Sequence, residues 1–428
     1  MGMATAVSQR ERVSHVIRRL SMGTHPDLLA DLRRPSDAVD RALDLSSAGA
    51  PLLEMPVPAD FDAGSRRADI LTPLAWWLER MSDPSRMIEE RLVWFWHDHF
   101  ATSIAKVPSP YLMWQQQTTI RAHATGSFAD LVKAMSRDPA MLIYLDGIQN
   151  AANNRNENFG RECLELFTLG RDAGYTQDDV VAASRAFTGW VVNLPGRVAG
   201  NIGAPWTATL LRQRFDAGEK TLLGTTGALD MDGALDVVLA HPATAPFIVT
   251  KLHRELVGVT PDDKTLARLA TSFRRDYQIM PLVESIARSD EFTADATVRS
   301  KYRSPVEKVV AVMQAAGATS LRLSARGNAI GAPLVTALRG MSSMPFLPPN
   351  VGGFPKGERL SGPGNLVHTF DLLQAIDAAP PAKRSVDALF ARFGVFDVSD
   401  DTRRVVKRQR DPAMQFALAL TSPEVTLT

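Results

Sequence analysis

The chain has 428 residues, with 48 Lys and Arg against 47 Asp and Glu, a net charge of +1, and 45% hydrophobic residues. This balance excludes a disordered chain, which needs low hydrophobicity and high net charge. It also excludes a nucleic-acid protein held by a global positive field.

At roughly 150 residues per unit, the length suggests about three domain-sized pieces. A chain of this size can bury a large core without staples, and Cys163 is the one cysteine, so no intrachain disulfide forms. The first twenty residues contain no apolar run of signal-peptide length, and no stretch approaches the ~18 apolar residues of a membrane span. Cytoplasmic residence is the default expectation; low cysteine use fits the cytosol equally well with or without export.

In chain order, Val13, Val16, Ile17 and Leu20 recur at helical spacing, which predicts a helix over 9–20. Ser36 reads as an N-cap for DAVDRALDL, and the Pro- and Asp-rich residues 51–67 as a loop. Thr72-Pro73 opens a helix carrying Trp76 and Trp77, and SDPS at 82–85 restarts the pattern into RMIEERLVWFWHDHF. Helices follow at 109–123, 127–136 and 158–170. Thr176 to Asp179 forms a capping-box start for a helix that ends by Gly189.

Residues 190–230 turn rich in Gly and Thr and read as a small β-hairpin-like insertion, with VVNL and the stretch around LRQRF as strands. Helices resume at 231–240, 243–257, 263–275, 280–288, 304–316, 331–340, 365–377, 384–392 and 402–420. Residues 345–364 hold five Pro and five Gly and must be loop. No linker separates these segments. The expected fold is mainly α, a multi-helix globular bundle of residues 1–428 in one unit with the insertion at 190–230. All seven Trp lie between Trp76 and Trp206, which places the heaviest aromatic packing in the first half.

Two constellations carry chemistry. WFWHDHF at 94–100 puts His97, Asp98 and His99 together, and imidazoles are common metal ligands and acid–base groups. Residues two apart on a helix lie about 200° apart, so one ion holds both rings only if the helix ends here or the segment is extended. Otherwise one His packs among Trp94, Trp96 and Phe100 and the other is exposed. NNRNENFGRECLELFTLG at 153–170 would bury Phe159, Cys163, Leu166 and Phe167 on a helix, leaving Asn158, Glu162 and Glu165 on a neighbouring stripe. Arg161 falls at i, i+4 from both Glu157 and Glu165. That pattern fits either helix-face ion pairs or a carboxylate pair facing a cavity.

Other motifs fall short. FDAGEKTLLGTTG at 215–227 has Glu219 where a phosphate loop needs Gly, so it reads as a turn with Lys220 exposed or paired. GGFPKG at 352–357 does not lie between a strand and a helix, so it is no dinucleotide fingerprint. Cys163 is expected to be buried and inert. His253 and His368 read as structural, and RRVVKRQR at 403–410 as a solvated helix face.

Taken together, HVIRRLSMGTHPD at 15–27, WFWHDHFATS at 94–103, MLIYLDGIQNAANNRNENFGRECLELFTLG at 141–170, GYTQDDVVAASRAFTGW at 174–190, HPATAPFIVTKLHREL at 241–256, RSPVEKVV at 303–310 and PPNVGGFPKG at 348–357 resemble the bacterial family called domain of unknown function 1800, over nearly the whole chain. The resemblance implies a mainly helical protein with no general activity established. Similar proteins are often encoded beside sulfatase-like proteins, which implies a protein partner of that type. Two positions depart from the family: Asp98 stands where Asn is usual between the histidines, and Phe354 where Trp is usual. The first should raise the imidazole pKa values and favour a cation; the second should weaken stacking by the loop.

Two functions follow. The first is an enzyme with a buried polar site of Asn158, Arg161, Glu162 and Glu165, in which His97 and His99 hold a divalent metal for hydrolysis. The second is a non-catalytic helical scaffold or accessory protein, in which the same groups form a structural network.

Overall fold

Helix starts are written by side-chain caps, which satisfy amide donors that have no partner inside the helix. In the computed structural model, which describes residues 6–46, 55–57, 70–194, 204–317, 331–375 and 385–428, Ser8 caps Gln9–Leu20. Thr176 and Asp179 complete the expected capping box on Gln177–Ala186, and Ser304 and Glu307 form another on Pro305–Ala316. Ser36 does not cap its helix. The helix begins two residues earlier than that cap implies, at Pro35, with Asp37 reaching back to the Arg34 amide. The expected 402–420 helix is two, Asp400–Arg408 and Pro412–Thr421, because Pro412 has no amide to continue the ladder. Pro26–Asp31 and Pro139–Tyr144 are six-residue helices, too short to show a period. The loop expected at 51–67 lies outside the described residues except for 55–57.

The fold is mainly α. In the insertion, Trp190–Val192 pairs antiparallel with Ala208–Leu210, and Lys220–Leu222 with Thr225–Gly227. The LRQRF stretch is a 3-10 turn rather than a strand. Lys220 is buried, its ammonium bonded to the carbonyls of Asp216 and Gly218. Among the described residues, no single helix is long and apolar enough to cross a membrane.

The helix Met87–His99 runs through the middle of the molecule, and every one of its residues is buried. Each of its polar residues finds at least one partner inside the protein. Glu90 takes Trp77, Arg80 and Arg121, and Arg91 takes Glu255 at 3.1 Å and Glu307 at 2.6 Å. Around it, Trp96 stacks on Phe128, and Phe100 packs on Phe167. Phe346 and Phe354 join this aromatic core from the second half of the chain, beyond the region where the tryptophans are concentrated. The first helix closes on late segments, with Arg18 bonded to the Gly394 carbonyl and Glu11 to the Phe396 amide.

Asp138 caps Pro139–Tyr144 from inside the core. Its Oδ1 accepts from the Met141 amide and Gln116, while Oδ2 is buried without a partner. Burial pushes this carboxyl up to about 7, against the hydrogen bonds that pull it down. The folded state thus holds a proton that the unfolded chain loses near pH 4. That stability is present below pH 4 and lost as pH rises to about 7, on the order of 4 kcal/mol in all. Asp138→Asn keeps the cap acceptor and removes the titration. Urea unfolding should show the variant gaining on wild type as pH rises from 4 to 7; a pH-independent difference between the two contradicts this.

Candidate functional site

The central helix ends in His97, Asp98 and His99, and each fastens a different element. His97 is buried, and its Nε2 accepts the Phe346 amide at 3.1 Å. Its ring meets Trp77 and Phe346 edge to face. Phe346 sits at φ 66°, a strained backbone for a bulky residue; its amide is held by His97, and its carbonyl accepts from Ile104 at 2.9 Å. Asp98 takes the Phe354 amide on Oδ1 at 2.7 Å and the Lys356 ammonium on Oδ2. Both histidine and aspartate therefore pin the Pro/Gly-rich loop. Gly353 is required there: its φ is 92°, and a Cβ would lie 2.8 Å from the Asp98 carbonyl oxygen.

His99 turns the other way. Its Nε2 donates to the Phe167 carbonyl at 3.0 Å, its Nδ1 has no partner, and its ring packs among Trp96, Phe100 and Phe128. The two imidazoles share no contact and do not converge, as the ~200° separation of i and i+2 positions demands. Neither is exposed. Among the described residues, no group of three or more His, Cys, Asp or Glu is placed to hold a metal ion. The expected rise in imidazole pKa is reversed. Burial drives His97 down to about 3 and His99 well below its ordinary value, while the Asp98 charge is spent on Lys356.

The 158–170 segment is not one regular helix. Asn158–Glu162 is α, and Cys163–Thr168 widens into a π-helical turn in which the Leu169 amide reaches the Leu164 carbonyl. The extra residue rotates the register, so Phe159, Cys163, Leu164 and Phe167 are buried and Leu166 only partly. Burial raises the Cys163 thiol to about 12, which leaves it an inert packing residue.

The wide turn frees two carbonyls at the negative end of the helix. Phe167 gives its carbonyl to His99, and Leu166 gives its own to Lys251 at 3.3 Å. Such π-turns are frequent at functional sites. The remaining candidates lie toward solvent. Arg161 pairs with Glu157 at 3.1 Å and Glu165 at 3.7 Å, and Arg171 with Glu165 at 3.4 Å. Asn158 donates to the Leu145 carbonyl at 3.2 Å, and Glu162, raised by partial burial and by Glu165, has Glu165 as its near neighbour. The structure groups Arg161, Glu162 and Glu165 with one another, apart from His97 and His99.

What the central helix, the pinned loop and the helix Thr244–Leu256 enclose is a cleft of about 600 Å³, a normal size for a small-molecule site. Asp98 lines it, whereas His97, His99, Arg161, Glu162 and Glu165 do not. Its apolar wall includes Trp94 and Phe354, stacked at 5.0 Å and 16°, so phenylalanine retains the stacking expected of tryptophan at that position. Its polar wall includes Lys251, Arg254, Lys301 and Lys356 together with Asp98, Glu255, Glu307 and Glu358.

Most of these charges are matched. Lys356 meets Asp98, and Lys301 meets Glu255, which also meets Arg91. Burial works to raise the Glu255 carboxyl, but Lys301 and Arg91 bring it below its ordinary value. Lys251 and Arg254 have no carboxylate partner among the described residues. Lys251 has the Leu166 carbonyl and the Phe247 ring, and Arg254 has Thr260. Burial, then the Lys356 charge, lowers Lys251 to about 7, with Asp98 opposing.

Sequence reading missed Lys251 and Arg254. In TKLHREL the eye goes to His253, which is buried and bonded to the Val259 carbonyl and Glu291. The available signal was a lysine three residues ahead of an arginine, which puts both on one helix face.

These features define a helical protein with a preformed, aromatic-walled and lysine-rich cleft. The chain matches the family model described as protein of unknown function, DUF1800, over residues 15–427, and it belongs to that family. No curated protein and no solved structure matches it.

Proposed function

We propose that the chain is an enzyme whose site is the cleft between the central helix, the Thr244–Leu256 helix and the 345–360 loop, and that its substrate is a small organic anion with an apolar body. The observation that carries this reading is the pairing of two basic groups that have no carboxylate partner among the described residues, Lys251 and Arg254, with the Trp94–Phe354 stack in one cavity. A guanidinium with free N–H donors suits a carboxylate, and an aromatic wall suits a flat apolar group. A lysine held near neutrality is matched to proton transfer at physiological pH. This reading places the chemistry in the lysine cleft and leaves His97, Asp98 and His99 as the posts that shape it. The part-exposed ion pairs around Arg161 then serve the helix surface.

Calorimetric titration tests it. Phenylacetate should bind more tightly than acetate because it uses the aromatic wall. Arg254→Glu, at an exposed position that leaves the core untouched, should weaken phenylacetate at least tenfold, about 1.4 kcal/mol. Equal binding by the variant, or no binding of either acid, overturns the reading.

A further inference from the structure

We infer that Lys251 is a nucleophile that forms an imine with a 2-oxo acid held in this cleft, an inference that rests on the organic-anion reading and names its substrate class.

The geometry begins with helical spacing. Lys251 and Arg254 stand at i and i+3 on Thr244–Leu256, so their side chains leave the same face about 5–6 Å apart at Cβ. A 2-oxo acid carries its carboxylate on the carbon next to its carbonyl, and that short separation matches a guanidinium beside an amine. Arg254 is bonded through Nε to Thr260 at 2.8 Å, which leaves its terminal nitrogens for the carboxylate.

Lys251 differs from the other two lysines of the cleft in its partners. Lys301 and Lys356 are each committed to a carboxylate. The hydrogen bond that Lys251 makes is a long one, 3.3 Å, to the Leu166 carbonyl that the π-turn leaves free. A neutral amine can donate one hydrogen to that carbonyl and still keep its lone pair for attack. The surroundings favour the neutral form: burial first, then the like charge of Lys356, with His99 neutral beside it, against Asp98, already paired, and the Phe247 ring. Desolvation beside another cation is a recognised way to activate a lysine amine.

The step balances without any further reagent. The Lys251 Nζ lone pair forms a C–N bond to the carbonyl carbon, and the carbonyl π electrons move to oxygen. One proton passes from nitrogen to that oxygen to give the carbinolamine. The hydroxyl then leaves with a proton as water, and the nitrogen lone pair closes the C=N bond. The carboxylate stays on Arg254, and an apolar substituent lies toward Trp94 and Phe354.

Borohydride trapping on the full chain tests this, with phenylpyruvate as the 2-oxo acid and phenyllactate as its counterpart without a ketone. Reduction after incubation with phenylpyruvate should leave one secondary-amine adduct per chain, mapped by peptide mass spectrometry to Lys251. Phenyllactate should compete it away, Lys251→Met should lose it, and Lys407→Ala, at an exposed position outside the cleft, should keep an adduct at Lys251. Peptide mapping of the wild-type chain decides the matter even if Lys251→Met does not fold. An adduct spread over surface lysines, or one retained in Lys251→Met, overturns the inference. Raised thermal stability with phenyllactate but no adduct with phenylpyruvate overturns the imine and leaves the organic-anion reading intact. No stabilisation by either acid and no adduct overturns both.

Discussion

Gly353→Ala is expected to lower unfolding free energy by about 2–5 kcal/mol and to abolish binding in the cleft. Two costs combine. At φ 92° an L side chain is strained by roughly 1–2 kcal/mol. The new Cβ also collides with Asp98, through both its Oδ1 and its carbonyl oxygen, and neither can yield because Asp98 lies in the last turn of a fully buried helix. The loop must then lift, which breaks the Phe354 amide bond to Asp98 and the Lys356 pair. A buried carboxylate that loses such partners costs about 1–3 kcal/mol more. Lifting the loop also removes Phe354 from Trp94, and with it the aromatic wall.

Gly357→Ala is the control. It shares a positive φ of 62° but has no atom within 4 Å of a new Cβ, so, although it lines the cleft, it should cost about 1–2 kcal/mol of strain alone and keep the loop pinned to Asp98. Chemical denaturation and phenylacetate titration of the two variants separate these effects. Equal losses in both would mean that contact with Asp98 does not fix the loop.

The contrast between these glycines shows what the sequence could and could not reveal. Both lie in a Pro/Gly-rich segment that reads plainly as loop, and nothing in the pattern says that Gly353 touches a helix more than 250 residues earlier. Local chemistry was legible. Thr176 declares its helix, because a cap and the amide it satisfies are three residues apart, although Ser36, read the same way, does not cap. The His97–His99 problem was also legible, since i and i+2 spacing argues against a shared ligand. What decided their environment was not: the Phe346 amide and the Phe167 carbonyl come from distant segments. The π-turn at Cys163–Thr168 was hidden for a related reason. It is set by where the chain must place its carbonyls, and Lys251 and His99, which receive them, are brought there by the fold.

Loss of stability on mild acidification is the other large effect expected. His15, His25, His97 and His99 are all buried, and burial holds each below the ordinary imidazole value, His25 at about 4 and His97 at about 3. Their surroundings leave no room for a second charge. His15 has Arg18 and Arg19 beside it, and His99 has Lys251.

The sign follows from linkage. The unfolded chain takes up protons near pH 6.5 while the folded chain refuses them, so the stabilisation is complete above pH 6.5 and is lost as pH falls toward the folded values. At pH 5 His25 and His97 have each forfeited about 2 kcal/mol, and His15 and His99 lose in the same direction. Asp138 acts in the opposite direction and returns about 2–3 kcal/mol over the same range. The net change is a loss, and it takes a sizeable share of the small stability of an ordinary domain. The chain should therefore unfold cooperatively with a midpoint between about pH 4 and 5.5, before most carboxylates titrate. Circular dichroism against pH reads this directly. His97→Gln keeps an acceptor for the Phe346 amide and removes one titration, so its midpoint should move to lower pH. A stability that stays flat from pH 7 to 5 would show that the folded protein accepts these protons, and that the histidine posts of the cleft are wetter than their packing among Trp77, Trp96 and Phe346 implies.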